Sequence, residues 1–356
     1  MFTHELVRER LESQARQLGF SLFGIANSQR SPGYEQLLEW IDRGYAGTMS
    51  YIPKRAVAYE HPNSVLEGCR SIVMLAMPYS CVSDRASQPL PIGGNTSDCR
   101  IGSYASGQVD YHDLIHDRLN QLCKSLNEML PGSLARGVVD TAPLMERDFA
   151  QLSGLGWIGK NTLLLNREIG SYFFLAALLT NAHFEADQPF AADHCGTCTA
   201  CLDACPTSAF VSPRVLNASR CISYLTIEHR GLIDSELSDR MDNWIFGCDV
   251  CQIVCPWNRK VQAAVPPELQ PVEMDMRRSL KFWLTLDESS FRVQFRHTPF
   301  WRTKLTGMQR NAMIVAANSN RQELIPIIES FLAHHDEVLR ETARRCMTKL
   351  SEFDSI

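Results

Sequence analysis

Cys195-Gly-Thr-Cys198-Thr-Ala-Cys201-Leu-Asp-Ala-Cys205-Pro206 is answered further along by Cys248-Asp-Val-Cys251-Gln-Ile-Val-Cys255-Pro256. The first run has the C-x2-C-x2-C-x3-C-P spacing with which a ferredoxin-like domain holds two 4Fe–4S clusters, the fourth cysteine crossing to the other cluster. Two cubanes need eight thiolates, and the two runs hold seven. Cys221, alone between them in Arg220-Cys-Ile-Ser223, is the natural eighth. The spacing therefore predicts Cys195, Cys198, Cys201 and Cys255 on one cluster, and Cys205, Cys221, Cys248 and Cys251 on the other. Paired C-x-x-C is also a zinc signature. Zinc pairs seldom carry a third cysteine so close, and here both runs do and both end in Cys-Pro. A disulfide framework fits poorly with a chain of 356 residues, an odd count of 13 cysteines and an opening, Met1-Phe-Thr-His-Glu5, without an apolar signal. The reducing cytoplasm is the expected compartment.

Working outward, 356 residues leave room for two or three domains. No apolar run is long enough to span a bilayer, so no membrane partner is expected. On the N-terminal side, helical patterns (Leu6 to Leu18, Gly33 to Arg43, Tyr111 to Leu130) alternate with apolar runs (Phe20 to Ala26, Arg70 to Pro78, Ala135 to Asp140, Tyr172 to Leu179). That alternation predicts an α/β domain over residues 1–185, followed by the cluster domain over 186–262. Residues 80–100, rich in Ser, Pro, Gly and Asp, read as a loop. Asp140 closes a strand, where ligands of such sheets gather, although a lone Asp there also suits a helix N-cap. Gly154-Leu-Gly-Trp-Ile-Gly-Lys160-Asn161-Thr162 is either a ligand-approaching loop or a glycine-punctuated turn; it lacks the Walker A spacing.

On the C-terminal side, Val265-Pro-Pro-Glu-Leu-Gln-Pro271 reads as a linker. Between Phe291 and Gln322 there is no acidic residue, while Arg292, Arg296, Arg302, Lys304, Arg310 and Arg321 alternate with Phe295, Phe300 and Trp301. A groove for phosphates and unstacked bases has this composition, and so does a solvated helix face over core aromatics. Asp336 to Cys346 resembles the second helix of a HEAT-type repeat, with Val338, Leu339, Ala343 and Cys346 facing inward. One or two such units cannot stand alone, so this α-helical module, residues 272–356, is expected to pack on the cluster domain.

These pieces together resemble the epoxyqueuosine reductase family, the cobalamin and iron–sulfur enzymes of tRNA queuosine biosynthesis. The resemblance is carried by Tyr104-Ala105, Asp110-Tyr-His112, Val139-Asp-Thr-Ala-Pro-Leu-Met-Glu-Arg147, Gly154 to Thr162, both cysteine runs, Cys221-Ile-Ser-Tyr-Leu-Thr-Ile-Glu228 and Phe246 to Asn258. It implies an α/β cobalamin-binding domain, a ferredoxin-like two-cluster domain and a C-terminal helical HEAT-like module. The implied reaction reduces the epoxide of epoxyqueuosine, at the wobble position of a tRNA anticodon, to the alkene of queuosine. Asp140 takes the position of the family's proton donor. Tyr59, Ser103, Asp140, Lys160, Asn161, Leu164, Ser223 and Asp249 fall at candidate cobalamin contacts, and Arg230, Arg292, Arg296, Arg302 and Lys304 are the candidate contacts to the tRNA stem-loop. Tyr59 stands where the family usually has arginine, and Ser103 where some members bring a cysteine near cobalt, so no thiolate ligand to cobalt is expected.

Opening an epoxide to an alkene consumes two electrons and releases the oxygen as water, so an external electron donor and an acid are required. An ordinary aspartate is ionised at neutral pH; Asp140 as the acid requires burial beside the corrin to raise its pKa. His112 and Glu146 read as a structural polar pair or surface groups. Two other readings share parts of this pattern: a cobalamin-dependent reductase of another substrate, such as a reductive dehalogenase, and a two-cluster electron-transfer protein.

Overall fold

The structure is a computed structural model that describes residues 3–80, 99–259, 261, 263–271, 277 and 279–353. Most of the loop expected over 80–100 lies outside the described residues.

Four apolar runs form one sheet: β1 (Leu22–Asn27), β2 (Ser71–Pro78), β3 (Ala135–Val138) and β4 (Phe173–Thr180), in the order β1-β2-β4-β3. Every neighbouring pair is antiparallel. The α/β expectation holds for the elements, and the strand direction, which the alternation leaves open, is antiparallel throughout. Apolar content does not encode direction: β2 and β4 are covered on both faces and so read as continuous apolar runs, as parallel strands do. On one face Val73, Leu75, Met77, Phe174, Ala176 and Leu178 meet α1 (His4–Gln17) and α2 (Tyr111–Met129). On the other, Ile72, Met74, Ala76, Ala177 and Leu179 meet Phe149 and Ala150 of α3 (Glu146–Leu152). The period of two splits each central strand between two cores, each buried large side chain contributing about 1.5–3 kcal/mol.

This topology positions the site. Because β2 and β3 both run antiparallel to β4, they are parallel to each other, and the residues that follow them, Tyr79 and Asp140, emerge at the same end of the sheet. The start of α2 reaches that end too: Tyr111 stacks on Phe174 with ring centroids 4.0 Å apart and planes within 7°.

A second core joins the segment around the cysteine runs to the C-terminal helices. Ile222, Leu225, Trp244, Ile245 and Phe246 pack with Trp283, Phe295, Phe300 and the inner faces of α4 (Lys304–Asn318) and α5 (Glu337–Phe353). In α5, Leu339, Ala343, Cys346 and Leu350 are buried, the stripe expected of a repeat helix, whereas Val338 is only partly so. The helical region does pack on the cluster domain. Arg310, 1% exposed, fastens it by donating to the carbonyls of Leu225, His229 and Gly231. Asn311 adds bonds to the carbonyls of Thr226 and Ile245. The expected linker is docked: Leu269 is buried against the sheet's helices and Glu268 pairs with Arg118 at 2.9 Å. Among the described residues no helix is long and apolar enough to cross a membrane.

Candidate functional site

The eight predicted cysteines fall into two sets of electrostatic neighbours. Cys201 feels Cys255, Cys195 and Cys198, and Cys255 feels Cys195 and Cys198. Cys248 feels Cys221 and Cys205, and Cys251 feels Cys248 and Cys221 and, more weakly, Cys201 of the first set. Burial pushes the Cys201 thiol up to about 11 and raises Cys221, Cys248, Cys251 and Cys255 as well, so iron binding to these thiols would release protons. Cys198 is exposed; Cys248 and Cys221 rest against the second core. The first set is walled by Trp157, Leu165, Phe190 and Trp257.

Lys160 closes that wall, donating to the carbonyls of Gly196 (2.7 Å) and Cys198 (2.9 Å). This ties the hairpin formed by Trp157–Ile158 and Leu164–Leu165 to the first cysteine loop. Two of its three donors are thus committed to the backbone. Leu164 is buried in the core under the sheet. Asn161 is 3% exposed; its Oδ1 accepts from the Leu163 N–H, but its Nδ2 has no hydrogen-bond partner among the described residues. A buried amide nitrogen without an acceptor is rare in proteins and marks a place for a ligand or water.

Asp140 follows β3 with φ of +56°, a left-handed backbone that aspartate tolerates better than most residues. Its N–H donates to Glu146 Oε1 at 2.9 Å, and Arg55 holds the next carbonyl, that of Thr141, at 3.1 Å. Its Oδ2 accepts from the Tyr111 hydroxyl at 3.0 Å and faces His112 Nε2 at 3.2 Å. On the other side of the ring, His112 Nδ1 is 2.8 Å from Asp110 Oδ1. The N-cap role is excluded: α3 begins six residues later, without a side-chain cap.

An imidazole between two carboxylates sets the proton balance. Burial works against the charge on His112, but the bonds to Asp110 and Asp140 outweigh it and raise the ring to about 9. The same bond from His112 outweighs burial at Asp140 and holds that carboxyl below its usual range. The bond to His112 thus acts on Asp140 in the direction opposite to the rise that burial beside a corrin is expected to give, and of this pair His112 is the group that favours the proton. Glu146 is the carboxyl that burial lifts, to about 8, with the charge of Asp140 adding to the effect.

The Asp140 side chain keeps 63% of its surface open, and Tyr51, Tyr59, Tyr104 and Arg302 ring it closely enough to exchange electrostatic effects with it. Tyr59 brings its hydroxyl toward this ring while its carbonyl accepts from Ser31. Behind Tyr104 stands the second cysteine run. Ser103 donates through its N–H (2.7 Å) and its hydroxyl (2.6 Å) to Asp249, between Cys248 and Cys251, and both residues are buried. Gly247, with φ of +69°, lets the chain pass under Tyr104; a Cβ there would lie 3.2 Å from the ring. Ser223 contributes its carbonyl to Thr226, whose hydroxyl in turn accepts from the Gly247 N–H.

The basic tract divides. Arg302 makes a two-pronged pair with Glu228 (2.8 and 2.9 Å) and lies over the Tyr51 ring at 5.2 Å. Arg230 donates to the carbonyls of Ile227, Arg302 and Thr303. Arg310 is internal and Arg321 pairs with Glu323 at 2.5 Å. Arg292, Arg296 and Lys304 are exposed, Lys304 with its ammonium 3.8 Å over the Trp301 ring. Phe295 and Phe300 are core residues, 4% and 0% exposed, so of the three aromatics only Trp301 remains for a base. The sequence reading passed over Tyr111, Arg55, Tyr51 and Glu228. Tyr111 was the one within reach, since it sits beside His112 at the first position of a helix capped by Asp110.

Comparison with known proteins places this geometry. A family model described as Epoxyqueuosine reductase QueG, DUF1730, matches residues 60–141, and a 4Fe-4S double cluster binding domain matches residues 194–258. The epoxyqueuosine reductase of Pseudomonas aeruginosa is 36% identical over 334 residues, 93% of this chain and 91% of that protein. That of Cyclobacterium marinum is 38% identical over 324 residues, 88% of this chain and 98% of its own. A crystal structure of epoxyqueuosine reductase with an epoxyqueuosine-modified tRNA-Tyr stem loop matches with a TM-score of 0.87 at 30% identity, over 98% of this chain and 91% of that one. A Bacillus subtilis epoxyqueuosine reductase, solved with its catalytic aspartate loop swung out of the active site, matches with a TM-score of 0.84, at the same identity and coverage. With more than a third of residues identical across nine-tenths of both chains, the chain belongs to the epoxyqueuosine reductase family.

Proposed function

We propose that this chain reduces the epoxide of epoxyqueuosine in tRNA to the alkene of queuosine, with cobalamin and two 4Fe–4S clusters as its cofactors and an external electron donor. The observation that carries this reading is the open Asp140 carboxylate, bonded to His112 and Tyr111, with Arg302 nearby and Tyr104 between it and Asp249 of the second cysteine run. The reaction takes up two electrons and two protons and releases water. When bound, cobalamin supplies a metal able to bond to carbon, and the clusters supply electrons singly.

The chain's own residues do the rest. Cys195, Cys198, Cys201 and Cys255 would hold one cluster; Cys205, Cys221, Cys248 and Cys251 the other. The donor set fits, with eight thiols in two neighbouring groups. For the corrin, the unpaired Nδ2 of Asn161 makes the strongest chemical case, with Tyr59, Ser103, Lys160, Leu164, Ser223 and Asp249 as the other candidate contacts. Asp140 presents the proton to the departing oxygen, His112 stores it at neutral pH, and Tyr111 fixes the carboxylate between them. Arg292, Arg296 and Lys304 offer charge to phosphates, while Arg230 and Arg302 shape the rim.

The test is direct. The protein reconstituted with iron, sulfide and cobalamin is given a chemical reductant and an epoxyqueuosine-bearing stem-loop, and the nucleosides are read by mass spectrometry. Queuosine should accumulate. Asp140→Asn should slow this by about 10²–10⁴-fold, the usual worth of a general acid, while the cobalamin spectrum persists. Unchanged epoxyqueuosine with the fully loaded wild-type protein would overturn the reading.

A further inference from the structure

The segment Asp140–Pro143 has a peculiar support. Asp140 adopts left-handed backbone, a conformation that a residue other than glycine keeps only where its surroundings over-determine it. The surroundings are side chains from three separate elements. Tyr111 and His112 hold the Asp140 carboxyl, and Arg55 holds the Thr141 carbonyl. Glu146, the first residue of α3, holds the Asp140 N–H at 2.9 Å. A backbone bond from the Thr141 N–H to the Val139 carbonyl, 2.5 Å, closes a tight turn around Asp140; of the side-chain bonds only the last acts on the Asp140 backbone itself, where the direction of the side chain is decided.

We propose that Glu146 is a positioning residue for Asp140: one carboxyl oxygen, reaching back six residues, latches the Asp140 N–H and so keeps the Asp140 carboxyl aimed between His112 and Tyr111. This rests on the proposed reduction and deepens it. Glu146 touches no substrate; it acts through Asp140. What the latch needs is an acceptor oxygen at the right reach, not a charge. Burial and the nearby Asp140 carboxylate raise Glu146 to about 8, so near neutrality it is largely protonated and still offers a carbonyl oxygen to the N–H. Rigid rather than loop support is available, because Glu146 opens a helix whose Phe149 and Ala150 are fully buried under the sheet.

Two conservative variants separate reach from charge. Glu146→Gln keeps the length and an acceptor oxygen but cannot ionise; Glu146→Asp keeps the ionisable group and withdraws it by one methylene. In single turnover on the epoxyqueuosine stem-loop, Glu146→Gln should stay within about fivefold of wild type. Glu146→Asp should fall about 100-fold in kcat with KM nearly unchanged, the scale of loss when a catalytic group is misplaced by about 1 Å. Hydrogen–deuterium exchange gives a readout that needs neither cobalamin nor turnover: the peptide holding residues 139–145 should exchange faster in Glu146→Asp and as in wild type in Glu146→Gln. The proposal is overturned if Glu146→Asp behaves as wild type in either assay, if Glu146→Gln falls as far as Glu146→Asp, or if either variant loses clusters or melts early. Wild-type protein that leaves epoxyqueuosine untouched would instead count against the function, while the exchange pattern would still decide the latch.

Discussion

Removing His112 tests where the acid's proton is kept. In His112→Asn the ring that lies between Asp110 and Asp140 is replaced by a group that does not titrate. The wild-type ring has a pKa of about 9 against an ordinary 6.5, and its side chain is only 29% exposed, so solvent screening takes away little. At about 1.4 kcal/mol per tenfold, that gap corresponds to roughly 3 kcal/mol of interaction with the two carboxylates. Near pH 7.5 the ring is almost wholly protonated, where a free imidazole would be about one-tenth so. The sign follows from the direction. A group whose pKa is raised on folding gives its full stabilisation below its unfolded value, and that contribution is lost as pH climbs toward the folded value; for His112 the window is about 6.5 to 9. Glu146, raised to about 8, has the same sign over a lower window starting near 4.5. Wild-type melting temperature should therefore decline between pH 6.5 and 9, and single-turnover rate should fall on the alkaline side as the His112 proton is lost. His112→Asn should be slower by about 10²-fold near pH 7 and should lose the alkaline limb near 9 in both measurements. Any step near 8 belongs to Glu146 and should vanish in Glu146→Gln. An alkaline limb that persists unchanged in His112→Asn, or a rate within a few-fold of wild type, would refute the assignment of the stored proton.

Cys221→Ser should cost one cluster, because Cys221 is a neighbour of both Cys248 and Cys251; reconstituted iron near half of wild type is the expected result, and full iron would remove Cys221 from the ligand set. Replacing Arg292, Arg296 and Lys304 together by Gln should weaken stem-loop binding and flatten its slope of log affinity against log salt by about 2, at roughly 0.7 per phosphate contact on the single-stranded scale. Arg302 is left in place because Glu228 already pairs with it. Anisotropy titrations at several salt concentrations measure this, and an unchanged slope would make the three charges a solvated face.

The cysteine domain was legible because a cubane imposes spacing on the chain itself, so the pattern survives in one dimension. The sheet was half legible. The runs at 71–78 and 173–180 were plain, but a strand buried on both faces carries no mark of its direction. Asp140 could be found but its chemistry could not: its proton balance depends on a histidine 28 residues away, brought over by the start of α2. Composition left two readings open for the tract after Phe291 for a similar reason. Phe295 and Phe300 look like stacking faces in sequence, yet they fill the second core, and Arg310 spends its guanidinium on carbonyls of the cluster domain.

That buried arginine also bears on the order in which the molecule is completed during synthesis. The carbonyls it binds belong to the stretch just after Cys221, yet Arg310 itself is made 79 to 85 residues later. Cys221 and Cys248 lean on a core whose other half, from Trp283 to Leu350, leaves the ribosome after them. The nascent chain therefore displays all eight cysteines before the wall behind one cluster exists. Iron and sulfide delivered early would meet an open, wet cradle, and the cradle closes only when the C-terminal helices arrive. The wall behind Cys221 and Cys248 is therefore complete only once those helices have docked.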